Sequence, residues 1–199
     1  MANVETEVKI LVDDLNAVAE KLRAHEAVPS AERVLERNIR YEDATGSLTP
    51  AGRVLRLRQD SRARLTYKAP GGSHNGILSR AELEVTVSDF ATTDLLLKAL
   101  GYQPSWEYQK YRTTYEINDC EVVLDEMPFG NFVEVEGEPE AIEQTLALLD
   151  LATARRIKAS YSDLFFHIKN RMKLDFRDLT FDNFKSLTVP REMLQGEGF

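Results

Sequence analysis

Residues 4–10 read VETEVKI. Glu5, Glu7 and Lys9 alternate with Val4, Val8 and Ile10, interrupted only by Thr6. That is the period of a β-strand, which sends successive side chains to opposite faces. One face of this strand is largely apolar and the other carries two carboxylates and an ammonium. A single strand of this kind reads as half-buried with a solvated outer face. Its charged face also holds the ingredients of a site for metal ions and an anion, and the rest of the chain decides between the two.

The pattern repeats. Arg56 and Arg58 share a face in RVLRLRQD (53–60) while Leu55 and Leu57 share the other. Arg62, Arg64, Thr66 and Lys68 alternate with Ala63, Leu65 and Tyr67. Arg80, Glu82 and Glu84 oppose Ala81, Leu83, Val85 and Val87; Lys110 and Arg112 oppose Tyr111 and Thr113. Asp125 opposes Leu124, and Glu134 and Glu136 oppose Val133 and Val135. Solvated sheet faces mix Thr, Ser, Gln and Lys, whereas these faces are almost wholly Arg, Lys, Glu and Asp in i, i+2 pairs. If helices cover the apolar face, the sheet curls so that its charged face lines the inside. A closed sheet of about eight strands has an interior wide enough for one small ligand. The expectation is a barrel with a polar lumen, in which Leu55, Leu57, Leu83, Val85, Val133 and Val135 face outward under helices.

Strand-like segments fall at roughly 4–11, 33–41, 52–59, 62–69, 80–88, 106–117, 120–126 and 131–137, with helical segments at 13–26, 92–102, 138–151 and 158–172. Very short turns join 52–59 to 62–69 and 106–117 to 120–126, which requires antiparallel pairing. The fold class is therefore α+β on an antiparallel sheet. With 199 residues the chain has room for one domain with a real core. Residues 1–170 read as that domain, and 171–199 as a C-terminal extension whose aromatics (Phe176, Phe181, Phe184) pack back on it.

The net charge of −8, with no basic run, argues against nucleic-acid binding. No apolar run is long enough to span a membrane, and the N-terminus has no signal-peptide core, so the expected location is cytoplasmic. Cys120 is the only cysteine, which excludes an intrachain disulfide. His25, His74 and His167 lack zinc-site spacing. Any metal should sit on oxygen ligands, as Mg²⁺ or Mn²⁺.

A charged lumen needs counter-charges, water or a ligand. Converging Arg and Lys suit a polyanion, because the Arg fork grips phosphate oxygens and Lys supplies a point charge. Paired carboxylates would hold divalent cations, which neutralise charge as a P–O bond breaks. A triphosphate with metal ions matches both inventories. The chain has no Walker-type loop, so side chains would hold the phosphates.

These residues resemble the CYTH superfamily of class IV adenylyl cyclases and thiamine triphosphatases. Glu5-Thr6-Glu7-Val8-Lys9 matches its E-x-E-x-K signature, followed in order by LRLR, LTYKAP, RAELEV, KYR and LDEMPFGNFVEVEG, over roughly residues 4–165. The resemblance implies an eight-stranded antiparallel triphosphate tunnel that uses Mg²⁺ or Mn²⁺. By matched position it makes Glu5, Glu7, Glu134 and Glu136 metal-site carboxylates, and gives Glu7 and Lys9 the catalytic roles. Arg56, Arg58, Lys68, Arg80, Lys110 and Arg112 become the phosphate clamp; Arg80 reads equally as an ion-pair partner of a neighbouring strand. Glu82, Glu84 and Asp125 complete the acidic side. Where the family often has a Tyr-Phe-Asp-like stretch, this chain has Arg40-Tyr41-Glu42, and Tyr41 is expected in the core.

Within the family the same tunnel serves a cyclase, which turns the ribose 3′-hydroxyl of ATP on the α-phosphate and releases pyrophosphate, and a triphosphatase, which turns water on the terminal phosphate. The ending KASYSDLF (158–165) resembles the cyclase branch more. The expected function is a metal-dependent, class IV adenylyl cyclase-like enzyme acting on ATP. A triphosphatase of tripolyphosphate, thiamine triphosphate or nucleotides is the alternative, and a non-catalytic polyphosphate binder the third. The expected partner is a small triphosphate, with no nucleic acid, no membrane and a possible homodimer.

Overall fold

The computed structural model describes residues 3–74 and 77–194, apart from the side chains of residues 3–5, 73 and 74. Nine strands form one antiparallel sheet: β1 (Asn3–Val12), β2 (Val28–Glu42), β3 (Val54–Gln59), β4 (Ala63–Lys68), β5 (Gly72–His74), β6 (Ile77–Val87), β7 (Gln103–Ile117), β8 (Cys120–Met127) and β9 (Gly130–Glu136). The order β1-β9-β8-β7-β2-β3-β4-β6 closes on itself, because β1 also pairs with β6. Eight strands thus make a ring, with no long edge left unpaired, and the three-residue β5 hangs on β6.

Helices stand outside the ring. α1 (Leu15–Ala24) and α3 (Pro139–Leu148) bring Val18, Leu22, Ile142 and Leu146 onto Val8, Ile10, Val122, Leu124, Val133 and Val135. α2 (Phe90–Ala99) lays Leu97 on Ile39, Tyr41 and Leu57. Local chemistry starts each one. Asp14 and Asp89 cap α1 and α2 by accepting N–H bonds from Asn16 and Thr92, and Pro139 opens α3. Tyr41 is buried as expected, and its hydroxyl donates to Asp94 at 2.7 Å.

The outward apolar face is covered unevenly. Leu57, Val133 and Val135 are fully buried, but Leu83 and Val85 remain 55% and 56% exposed. They continue the outer rows Leu55–Tyr67–Leu83 and Leu57–Leu65–Val85 across β3, β4 and β6, beyond the reach of α2. The expectation that a helix covers both is thereby corrected: parity sets the direction of a side chain, but only tertiary packing sets its cover.

Two strands run longer than the alternation indicated. β2 starts at Val28 and β7 at Gln103, where Pro29, Pro104 and register shifts interrupt the period. α4 (Tyr161–Met172) begins at a capping box in which Ser160 and Asp163 satisfy each other's backbone N–H. It seats over one end of the ring. There the lumen-facing positions turn apolar, as Leu11, Trp106 and Phe132, and join Leu164, Phe165 and Ile168. Leu179, Phe184 and Leu194 from the following segment, which includes α5 (Phe181–Phe184), complete that cluster.

Candidate active site: a charged tunnel

The ring encloses a cavity of about 130 Å³ lined by charged side chains from all eight of its strands. Antiparallel register assembles it, because directly paired residues point to the same side of a sheet. Lys9 pairs with Glu134, and Glu7 with Glu136. Arg112 pairs with Asp125, Lys110 with Glu36, and Arg58 with both Asn38 and Arg64. Arg40 and Arg56 are also partners, and so are Lys68 and Glu82.

One wall, on β1, β7, β8 and β9, is an ion-pair network in which Lys9, Lys110 and Arg112 meet Asp125 and Glu134, and it also carries Glu7, Glu121 and Glu136. Asp125 is completely buried and accepts Arg112 Nε at 2.7 Å, Arg112 Nη2 at 2.6 Å, Lys110 Nζ at 2.9 Å and the Tyr161 hydroxyl at 2.9 Å. Burial alone would raise the Asp125 carboxyl, but Arg112 and Lys110 hold it well below the usual range. Glu134 lies between Arg112 Nη2 at 2.7 Å and Lys9 Nζ at 3.3 Å. Lys9 also donates to the Ala159 carbonyl at 3.2 Å and lies 4.5 Å from the Tyr161 ring centre.

The opposite wall, on β2, β3, β4 and β6, carries an excess of cation. Arg58 Nη1 reaches Glu36 at 3.2 Å, and its Nε reaches Asn38 at 3.2 Å. Burial and the neighbouring Arg56 together press the Arg58 guanidinium below its usual value. Among the described residues Arg56 donates only to the Tyr108 hydroxyl and the Thr66 hydroxyl, both at 3.3 Å; its nearest carboxylate there, Glu84, is 3.9 Å away and its buried Nε has no partner. Lys68 pairs with Glu82 at 2.7 Å and Arg80 with Glu7 at 3.9 Å. Glu36, fully buried among Lys110, Arg58 and Arg112, is held down to about 2 despite the opposing effect of burial.

The structure therefore brings together on one lumen Glu7, Lys9, Arg56, Arg58, Lys68, Arg80, Lys110, Arg112, Asp125, Glu134 and Glu136. Glu82 and Glu84 stand at its open rim with Arg64, while Arg62 is exposed. The Glu5 side chain lies outside the described residues; its backbone pairs with Arg80 on β6.

Sequence reasoning missed Glu36, Asn38 and Arg40 on β2. Their i, i+2 spacing was legible, but Arg33 and Arg37 charge the other face of the same strand, where they pair with Glu126 and Glu107. Charge on both faces hid the parity. Tyr161 was invisible for a different reason, since it enters the lumen from a helix end and not from a strand.

For a cation, the open rim offers carboxylate oxygen alone. Glu136 is directly paired with Glu7 on one side and with Glu121 on the other. Among the described residues no three such groups converge closely enough to enclose an ion. The set fits Mg²⁺ or Mn²⁺ nonetheless, because these ions commonly take one or two protein carboxylates and complete their shell with phosphate oxygens and water.

Residues 3–163 match the CYTH domain. A Methanocaldococcus jannaschii protein named "Putative adenylate cyclase" is 25% identical over 173 residues, 81% of this chain and 98% of its own length. A Vibrio parahaemolyticus structure, likewise named a "putative adenylate cyclase", superposes with a TM-score of 0.71 at 19% identity, covering 83% of this chain and 99% of that one. A Hippeastrum protein that carries an adenylyl cyclase name, and is described as having a dominant triphosphatase activity, gives a TM-score of 0.61 at 18% identity over 81% and 95% of the two chains. The ring of antiparallel strands, the parity of its charges and the match over most of the length agree: the chain belongs to the CYTH domain family.

Proposed function

We propose that the protein is a divalent-metal-dependent enzyme that cleaves a phosphoanhydride bond of a small triphosphate held in the tunnel. One observation carries this reading: the wall on β2, β3, β4 and β6 turns Arg40, Arg56, Arg58, Lys68 and Arg80 toward the tunnel against the carboxylates of Glu36, Glu82 and Glu84, so that cation is in excess on that side. Arg56, buried and hydrogen-bonded among the described residues to two hydroxyls with its nearest carboxylate 3.9 Å away, has guanidinium N–H groups left for an anion.

In this reading Arg56 and Arg58 grip phosphate oxygens as planar forks, and Lys68 and Arg80 supply further charge after exchanging their carboxylate partners for phosphate. Lys110 and Arg112, fixed by Asp125, present the third side. Glu7 and Glu136 would hold Mg²⁺ or Mn²⁺, with Glu5 and Glu134 beside them. The bound ion would supply Lewis-acid charge neutralisation at the phosphoryl oxygens. Lys9, locked by Glu134 and the Ala159 carbonyl, stays oriented toward the lumen and stabilises negative charge as it develops there.

The cyclase chemistry is supported by the naming of the relatives and the triphosphatase chemistry by the Hippeastrum neighbour described as having a dominant triphosphatase activity. Incubation with ATP, thiamine triphosphate and tripolyphosphate, with Mg²⁺ or Mn²⁺, separates them. Cyclic AMP with pyrophosphate identifies a cyclase, and orthophosphate a triphosphatase. Absence of cleavage of all three, with tripolyphosphate still bound, leaves the binder reading; absence of binding as well refutes the tunnel assignment.

A further inference from the structure

At the end of the tunnel nearest α4, the cavity continues into a second space of about 260 Å³, bounded by residues 49–54, residues 69–72 and the first turn of α4. The two spaces share Arg40, Val54, Leu78, Arg80, Ser160 and Ser162. Arg40 is the hinge between them. It is the direct cross-strand partner of Arg56, so two guanidiniums stand side by side on strands about 4.8 Å apart. Like charges placed directly opposite each other destabilise a sheet unless something offsets them.

Carboxylates offset this pair only at a distance: Glu84 stands 3.9 Å from Arg56, and Glu42 and Asp163 act on Arg40 through space. Arg40 donates to the Ser162 hydroxyl at 3.0 Å and to the Thr49 hydroxyl at 3.3 Å, and among the described residues it has no salt bridge. The nearby carboxylates are committed elsewhere. Glu42 accepts the backbone N–H groups of Leu48 and Thr49 together with the Thr49 hydroxyl, and Asp163 accepts the N–H and hydroxyl of Ser160. Burial, the largest influence, lowers the Arg40 guanidinium, and Arg56 adds to the effect. Arg53 and Lys158 line the same space and add two more positive charges.

We infer that Arg40 forms an additional anion subsite beyond the three phosphates, so that the preferred substrate carries a fourth phosphoryl group at the end of the tunnel nearest α4. This rests on the tunnel holding a triphosphate. A fourth phosphoryl could come from a linear oligophosphate or from a phosphorylated organic group. Either would bridge Arg40 and Arg56 as a single anion between two forks.

The test compares dissociation constants for tripolyphosphate, tetrapolyphosphate and a nucleoside triphosphate bearing a 3′-phosphate, using wild type, Arg40→Met and Arg56→Met. A charge-assisted hydrogen bond corresponds to roughly a 10- to 150-fold change in affinity. Wild type should therefore bind at least one four-phosphoryl ligand more tightly than tripolyphosphate by about that factor, and which one does so identifies the source. Arg40→Met should erase the difference by weakening the preferred four-phosphoryl ligand far more than tripolyphosphate. Equal wild-type affinities for all three ligands, or equal losses in Arg40→Met for all three, would overturn the subsite and leave the tunnel assignment standing. If tripolyphosphate does not bind wild type, or binds Arg56→Met as well as wild type, the underlying triphosphate reading fails and the subsite with it.

Discussion

Replacing Asp125 with Asn tests the ion-pair wall at its centre. The side chain keeps its size and one acceptor oxygen but loses the charge that faces Arg112, Lys110 and the Tyr161 hydroxyl. Removing one partner of a buried pair costs about 3–5 kcal/mol, since the remaining charge stays buried without compensation. Glu134 and Glu36 still face Arg112 and Lys110, and Asn preserves some hydrogen bonding, so the expected cost is at the lower end, about 3 kcal/mol. For a domain of this size that corresponds to roughly 6–12 °C in Tm. The pH dependence gives a second handle. The folded carboxyl lies below its unfolded value of about 3.9. Its stabilisation is therefore complete above that value and is lost as pH falls below it toward the folded pKa. The stability gap between wild type and Asp125→Asn should thus be widest at neutral pH and close progressively below about pH 4. Urea unfolding of both proteins across that range measures it. A gap under about 1 kcal/mol at pH 7, or one that persists undiminished at pH 3, would refute the assignment of Asp125 as the counter-charge of this wall.

Arg56→Met removes a guanidinium with two weak hydroxyl partners and a like-charged neighbour, so Tm should hold or rise while tripolyphosphate affinity falls about 10- to 150-fold by calorimetry. Glu7→Gln and Glu136→Gln each remove one of two directly opposed carboxylates. Turnover with Mg²⁺ or Mn²⁺ should collapse in both variants with no loss of Tm, and chelation by EDTA should silence the wild type. Full activity in excess EDTA would defeat the metal assignment. Leu57→Ala should destabilise by about 2–5 kcal/mol, whereas Leu83→Ala should stay within about 0.5 kcal/mol, although both leucines point outward from the ring. Equal costs in thermal melts would show that Leu83 is covered in solution.

Much of this architecture was written in one dimension. Period-2 alternation in β1, β3, β4, β6 and β9 fixes which side chains share a face, and five of those faces are built from Arg, Lys, Glu and Asp. With antiparallel hairpins, that is enough to infer a ring with a charged inside and to name most of its lining. What the alternation could not carry is register and closure, because those depend on which strands meet. Pairing of Arg40 with Arg56, and of Glu36 with Lys110, brings together residues of strands separated by turns, loops and helices. Those pairings decide that one wall is rich in carboxylate and the other in cation. Charges on both faces of β2 concealed Glu36, Asn38 and Arg40 until tertiary structure assigned each face. Tyr161 reaches Asp125 only because α4 docks on the apolar end of the ring. Sequence determines direction, since that follows from local backbone geometry; partnership and cover depend on distances between segments far apart in the chain, and only the folded structure sets those.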